Sequence, residues 1–218
     1  KRKILEVPKD LKESTQKKSE GKISENSPFD GQNSPVAIEM LKELGTDSVG
    51  VIDDASGGLG AEMWKGVSRH LITKLITHLP TKVRSPTMRG LLRRLLLTQA
   101  MTPEGTEKKP DLLKLRVATL FSAGDIISAL ALIAGAPVSP ADEFFSHTSV
   151  ESKLYLNDTS GACNLIRNVG ETFKGDYWQQ AIAFCLAMDK KIDQAILFSE
   201  VLAERSENIH PSFFAAME

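Results

Sequence analysis

The feature that most constrains this chain is a spacing. Gly124-Asp125-Ile126-Ile127-Ser128-Ala129 lays over Asn157-Asp158-Thr159-Ser160-Gly161-Ala162 and over Lys190-Lys191-Ile192-Asp193-Gln194-Ala195, with the three alanines in register and 33 residues between each pair. A fixed period of this size is the mark of stacked supersecondary units, none of which can bury its apolar face alone. Each copy reads as an antiparallel helix pair. In the first, Leu113, Val117 and Leu120 recur at helical spacing until Gly124-Asp125 interrupts them. Glycine relieves the positive-φ strain at a helix end, and aspartate offers a side-chain oxygen to the free N–H groups of the next helix. The second helix then presents Ala129, Leu132, Ile133 and Ala136, with the small alanine where two backbones must approach closely.

The second copy keeps Val150, Leu154, Asp158, Ala162, Leu165, Ile166 and Val169, with Lys153 where the first has Leu120. The third keeps Ala183, Leu186, Ala195, Phe198 and Leu202, and adds Tyr177-Trp178 at its head. Three unrelated helical hairpins of about 30 residues would produce a similar spacing. The pattern from Leu112 to Glu204 resembles the tetratricopeptide-type repeat, although the first helices lack its Leu-Gly pair, only the third copy has Trp, and Pro140 is not repeated. The resemblance implies an all-α fold in which helical hairpins stack as a short α-solenoid and offer a surface to a protein partner.

Ahead of the repeats the chain changes character. Residues 1–34 are dominated by Lys, Glu, Ser, Asn, Gln, Pro and Gly and read as an extended or disordered N-terminal tail, since so few apolar groups cannot repay the ordering entropy. Ile4-Leu5-Glu6-Val7 is its best docking point. Ser34 and Pro35 open a short helix, Pro35 to Leu44, which Gly45 ends. A connector follows, in which Gly57-Gly58-Leu59-Gly60 invites comparison with an anion cradle but lacks the lysine and hydroxyl of a nucleotide loop. Two helices are predicted next. Ala61 to Leu79 places Trp64, Val67, Leu71, Leu75 and Leu79 inward, with Ile72 and Ile76 widening the stripe and Lys65, Arg69 and Lys74 outside. Pro86 to Met101 places Met88, Leu91, Leu92, Leu95 and Leu96 on its apolar side and Arg89, Arg93 and Arg94 on the other. The loop Thr102 to Pro110 is the natural boundary, so the expected organisation is a tail at 1–34, a helical segment with a basic hairpin at 35–103, and a repeat domain at 110–218 that ends in a short helix, Pro211 to Met217.

Charge is distributed more tellingly than its total of −1. Residues 63–103 carry 8 Lys or Arg and no Asp or Glu, whereas residues 104–218 carry 10 basic and 16 acidic groups. Arg89, Arg93 and Arg94 repel one another unless an acid faces them, either from the repeats or from a partner. The expected function is therefore a non-enzymatic interaction scaffold or assembly subunit, possessing Tyr177 and Trp178 as aromatic anchors and Arg89, Arg93, Arg94, Lys65 and Arg69 as charged ones. The alternative is electrostatic binding of nucleic acid or an anionic membrane surface through residues 65–94. Bases find no aromatic partners between the cations, which makes nucleic acid the less favoured of the two.

Nothing in the chain spells an enzyme. His70 and His78 are too far apart along one helix to share a metal, no nucleophile elbow or zinc-protease motif occurs, and His147 beside Asp142 and Glu143 is the nearest approach to an acid–base cluster. No cofactor and no small-molecule substrate are expected. Cys163 and Cys185 fall on facing helices of adjacent copies; two buried thiols are the commoner arrangement, and a disulfide is geometrically possible. No apolar run reaches the roughly 18 residues of a membrane span. The opening Lys1-Arg2-Lys3 reads as the start of a trimmed or internal piece. Finally Asp47-Ser48-Val49-Gly50-Val51-Ile52-Asp53-Asp54, Gly57-Gly58-Leu59-Gly60, Met63-Trp64, Ser85-Pro86 and Met88-Arg89 resemble an uncharacterised family of exported alphaproteobacterial proteins carrying helical repeats. That resemblance implies the cell envelope or periplasm and no particular chemistry.

Overall fold

A computed structural model describes residues 45–105, 109–170, 172–205 and 209–215. The tail expected at 1–34 and the helix expected from Pro35 to Leu44 lie outside the described residues. Among the described residues the protein is all-helical, without a strand. A 3-10 turn, Thr46–Ser48, precedes α1 (Arg69–Thr77), α2 (Pro86–Leu97), α3 (Leu112–Ser122), α4 (Ile126–Ala134), α5 (Glu143–Tyr155), α6 (Thr159–Val169), α7 (Asp176–Met188), α8 (Ile192–Arg205) and α9 (Pro211–Ala215). From α3 to α8 each helix packs on the next, and α1 and α2 pack on α3.

The 33-residue period is carried by the backbone of the turns. The residue at the bend takes a positive φ in all three copies, 77° at Gly124, 61° at Asn157 and 62° at Lys190. Immediately after it, the Asp125 N–H donates to the Leu120 carbonyl at 2.9 Å, Asp158 to Lys153 at 2.8 Å and Lys191 to Leu186 at 3.0 Å. This is the left-handed helix stop in which one bond reaches back five residues and satisfies a carbonyl the helix has left open. Asp125 and Asp158 then accept from the N–H groups of Ser128 at 3.4 Å and Gly161 at 2.9 Å, so the same residue that leaves one helix starts the next. Lys191 has no carboxylate to do this. Ala129, Ala162 and Ala195 are 0, 0 and 1% exposed, each on the first turn of the second helix where it meets its neighbour.

Two apolar clusters fill the interior. Ile72 and Ile76 of α1 and Leu96 and Leu97 of α2 share one cluster with Leu112, Leu113, Val117, Leu120, Ala129 and Leu132. Val150, Ala162, Ile166, Val169 and Trp178 form the other. Within the second, Cys163 of α6 and Cys185 of α7 are joined by a disulfide, with their Cα atoms 5.5 Å apart. The commoner expectation of two free thiols is thereby corrected: the crossing of α6 and α7 brings the Cα atoms inside the span that a disulfide bridges.

The N-terminal helices depart from the pattern read in the sequence. Instead of running from Ala61, α1 begins after Ser68, whose hydroxyl accepts from the Leu71 N–H at 3.4 Å. Its buried face is Arg69, Ile72, Thr73 and Ile76, while Leu71 and Leu75 point outward. In α2 only Leu96 and Leu97 are buried, and Met88 and Leu91 are exposed. That helix stops at Leu97 rather than Met101 because Thr98 turns extended and the chain around it pairs with the loop: the Gln99 N–H donates to the Ile52 carbonyl at 2.8 Å.

Candidate functional site

Two arginines decide how the loop at 45–60 sits. Arg69, 4% exposed, donates through Nε to Asp47 Oδ2 at 2.8 Å. Arg116, 1% exposed, donates from Nε to the Leu96 carbonyl at 2.7 Å, from Nη1 to Val49 at 2.5 Å and from Nη2 to Thr98 at 3.2 Å. Gly50 lies so close to Gln99 that a Cβ would run into its backbone, and the Gly57-Gly58 turn is closed by Ser56 donating its N–H to Asp53 Oδ1 at 2.8 Å. The Ser56 hydroxyl donates to the same carboxylate, and this bond, then the amide bond, hold the Asp53 carboxyl below its ordinary pKa. The loop is thus a strap fastened to α1, α2 and α3. Arg69, grouped in the sequence with the exposed cations, is buried, because its charge is used inside this strap.

The remaining basic residues separate into paired and unpaired. Arg93 Nε donates to Asp125 Oδ2 at 2.5 Å, and this bond raises the arginine pKa. Asp125 is also the cap of α4, so one carboxylate serves a helix start and a neighbouring helix. Lys65 pairs with Glu62 at 3.0 Å in the open. Arg89 and Arg94 are exposed and make no ion pair among the described residues. A cavity of about 560 Å³ opens between α2 and the α3–α4 turn, lined by Arg89, Arg93, Leu120, Asp125, Ile126 and Leu156 among others.

The aromatic pair splits in the same way. Trp178 is 0% exposed, stacks on Phe173 with ring centroids 4.9 Å apart, and donates from Nε1 to Glu143 Oε1 at 2.9 Å. It is a core residue and presents no surface to a partner. Tyr177, one position earlier, is half-buried; its ring lies 4.1 Å from that of His147 and its hydroxyl donates to Glu151 Oε1 at 2.8 Å. Burial, and then the carboxylate beside it, push the Tyr177 hydroxyl well above the usual phenol pKa. Tyr177 forms the rim of an apolar groove of about 430 Å³, with Leu154 of α5, Ala181, Phe184 and Met188 of α7, and Phe213 of α9. Apart from Tyr177 this groove was not foreseen. Its signal in the sequence is the width of the apolar stripe on α7: Trp178 and Cys185 are buried in the cluster, and Tyr177, Ala181, Phe184 and Met188 form an adjoining stripe at helical spacing, the first three packing on the cluster from its edge.

The residues closest to an acid–base cluster are all engaged in holding the fold. Asp142 caps α5 by accepting from the Phe144 N–H at 3.1 Å and pairs with Lys114 at 2.6 Å; Glu143 takes the Trp178 indole; His147 lies against Tyr177. Among the described residues no group of three or more His, Cys, Asp or Glu is placed to hold a metal ion, and no helix is long and apolar enough to cross a membrane.

No family model, curated protein or solved structure matches this chain. The groove beside Tyr177 and the cation-bearing face of α1 and α2 are therefore judged by their own chemistry.

Proposed function

We propose that this protein is a non-enzymatic interaction module of tetratricopeptide-like hairpins arranged as a short α-solenoid, which receives an apolar segment of a protein partner in the groove across α5, α7 and α9. The observation that carries the reading is the groove itself. Leu154, Ala181, Phe184, Met188 and Phe213 supply an apolar floor, and Tyr177 with Glu151 supplies a polar, oriented rim. Apolar sites with a few placed polar groups are what bound segments use for affinity and orientation respectively. Hairpins in register favour it further, because equivalent first helices side by side make an extended rigid surface. Arg89 and Arg93, in the cavity between α2 and the α3–α4 turn, offer a second foothold to an acidic part of the same partner. A disulfide between α6 and α7 goes with an oxidising compartment, for which the cell envelope is the reading.

The test is capture from native extract followed by mass spectrometry, run in parallel with wild type and Ala181→Trp, which fills the groove, and with Met188→Asp, which charges it. A partner that wild type retains and both variants lose supports the proposal. A partner held equally by all three removes the groove from the function.

A further inference from the structure

We infer that the outer face of α1 and α2 docks on an anionic lipid surface, with its exposed leucines and Met88 entering the acyl boundary while unpaired cations meet the headgroups. The apolar groups on this face are surplus to the core. Ile72, Ile76, Leu96 and Leu97 already seal the two helices against α3, yet Leu71, Leu75, Met88 and Leu91 remain 46, 56, 50 and 48% exposed. They are not scattered. Leu71, Leu75 and Leu79 stand one helical turn apart along α1 and its C-terminal end, and Leu79 opens into a shallow apolar cleft of about 90 Å³ shared with Val83, Met88, Leu91 and Leu95. The two stripes thus join into one patch.

Charge names the occupant. Lys74, Lys82, Arg84 and Arg94 are exposed on these helices and their connection, and none of the four forms an ion pair among the described residues. Residues 63–103 hold no Asp or Glu. Acids of neighbouring elements are already engaged, Asp47 with Arg69, Glu62 with Lys65 and Asp125 with Arg93. A protein partner would have to place several carboxylates around an apolar centre and dehydrate the lysines, which protein interfaces disfavour at their cores. An anionic bilayer presents negative charge everywhere along its plane. Lysine and arginine keep hydrated heads among the phosphates while leucines pass below them. This inference is independent of the groove across α5, α7 and α9.

The experiment is co-sedimentation of the whole chain with vesicles of phosphatidylcholine alone and of phosphatidylcholine with about 30% phosphatidylserine. Binding is expected with phosphatidylserine only, weakening about tenfold or more as salt rises from low ionic strength to about 0.5 M. Leu75→Ser combined with Leu91→Ser leaves every charge in place and is expected to weaken binding by a further factor of about ten at constant salt. A thermal melt accompanies the pair, and Met88→Ser gives the same reading on a single site should the melt shift. The inference is overturned by equal binding to both vesicles, by binding to neither, or by serine variants that bind as wild type. In that last case, retained binding to duplex DNA as well would mark a purely electrostatic surface.

Discussion

The Arg116 guanidinium and the Val49 carbonyl, 67 residues apart in the chain, meet at 2.5 Å inside the protein. The same side chain also reaches the carbonyls of Leu96 and Thr98, where α2 ends. One residue of α3 therefore closes the last turn of α2 and fastens the strap at 45–52 over both. Burial lowers the Arg116 pKa to about 10, against the field of Asp47, which acts to raise it.

Arg116→Met keeps much of the volume and leaves three carbonyls without a donor. Buried polar groups stripped of their partners are costly, and we expect a loss of about 3 kcal/mol in urea denaturation. Arg116→Lys restores charge but not the fork and is expected to recover no more than about half of that. A methionine variant as stable as wild type would show that these three bonds contribute nothing net.

Lys190 stands where Gly124 stands in the first copy, with a φ of 62°. A side chain in the left-handed region costs about 1 kcal/mol that glycine avoids. Lys190→Gly is therefore expected to raise the melting temperature, Asn157→Gly to raise it less because asparagine tolerates this conformation, and Gly124→Ala to lower it. A drop on Lys190→Gly would mean that the lysine side chain holds the turn.

Removing the cross-link between α6 and α7 tests how much it restrains the unfolded chain. Cys163 and Cys185 are separated by 22 residues, and replacing both by serine is expected to cost about 3 kcal/mol by loop-closure entropy. Reductant should lower the melting temperature of the wild type towards that of the double variant and leave the variant unchanged. A wild type indifferent to reductant would contradict this.

Tyr177 gives the alkaline limb of stability. Its folded pKa is raised above the unfolded value of about 10, so its contribution is complete below that pH and is lost as pH rises beyond it, because the unfolded chain gives up the proton first. Stability measured between about pH 9 and 11 should fall more steeply for wild type than for Tyr177→Phe. At neutral pH the variant should be weaker by about 1 kcal/mol for the bond lost to Glu151. Parallel slopes would place the alkaline loss in other groups.

Where hairpins begin and end was legible in the sequence. Asp125 and Asp158, found as caps from their residue type, do cap α4 and α6, and the three alanines placed in register are equally buried. These are decisions made within about six residues, by φ preference and by a side chain reaching its own backbone. What faces inward on α1 was not legible. Leu71 and Leu75 and their neighbours Ile72 and Ile76 make equally good stripes, and periodicity says that a stripe exists without saying which. The choice fell to Ile72 and Ile76 because Arg69, on their side, finds Asp47 some 22 residues earlier. Trp178 and Tyr177 show the same limit, since adjacent aromatic residues look alike until the crossing of α5 and α7 sends one into the core and leaves the other on a rim.

The sequence by itself determined the helical class, the 33-residue period and the aspartate caps of the first two turns, since each depends on bonds between near neighbours. Only the tertiary structure decided that Arg69 and Arg116 are internal, that Cys163 meets Cys185, and that α7 shares a groove with α5 and α9. Burial is settled by contacts between residues tens of positions apart, where the free energy of a whole packed layer outweighs the preference of any one side chain.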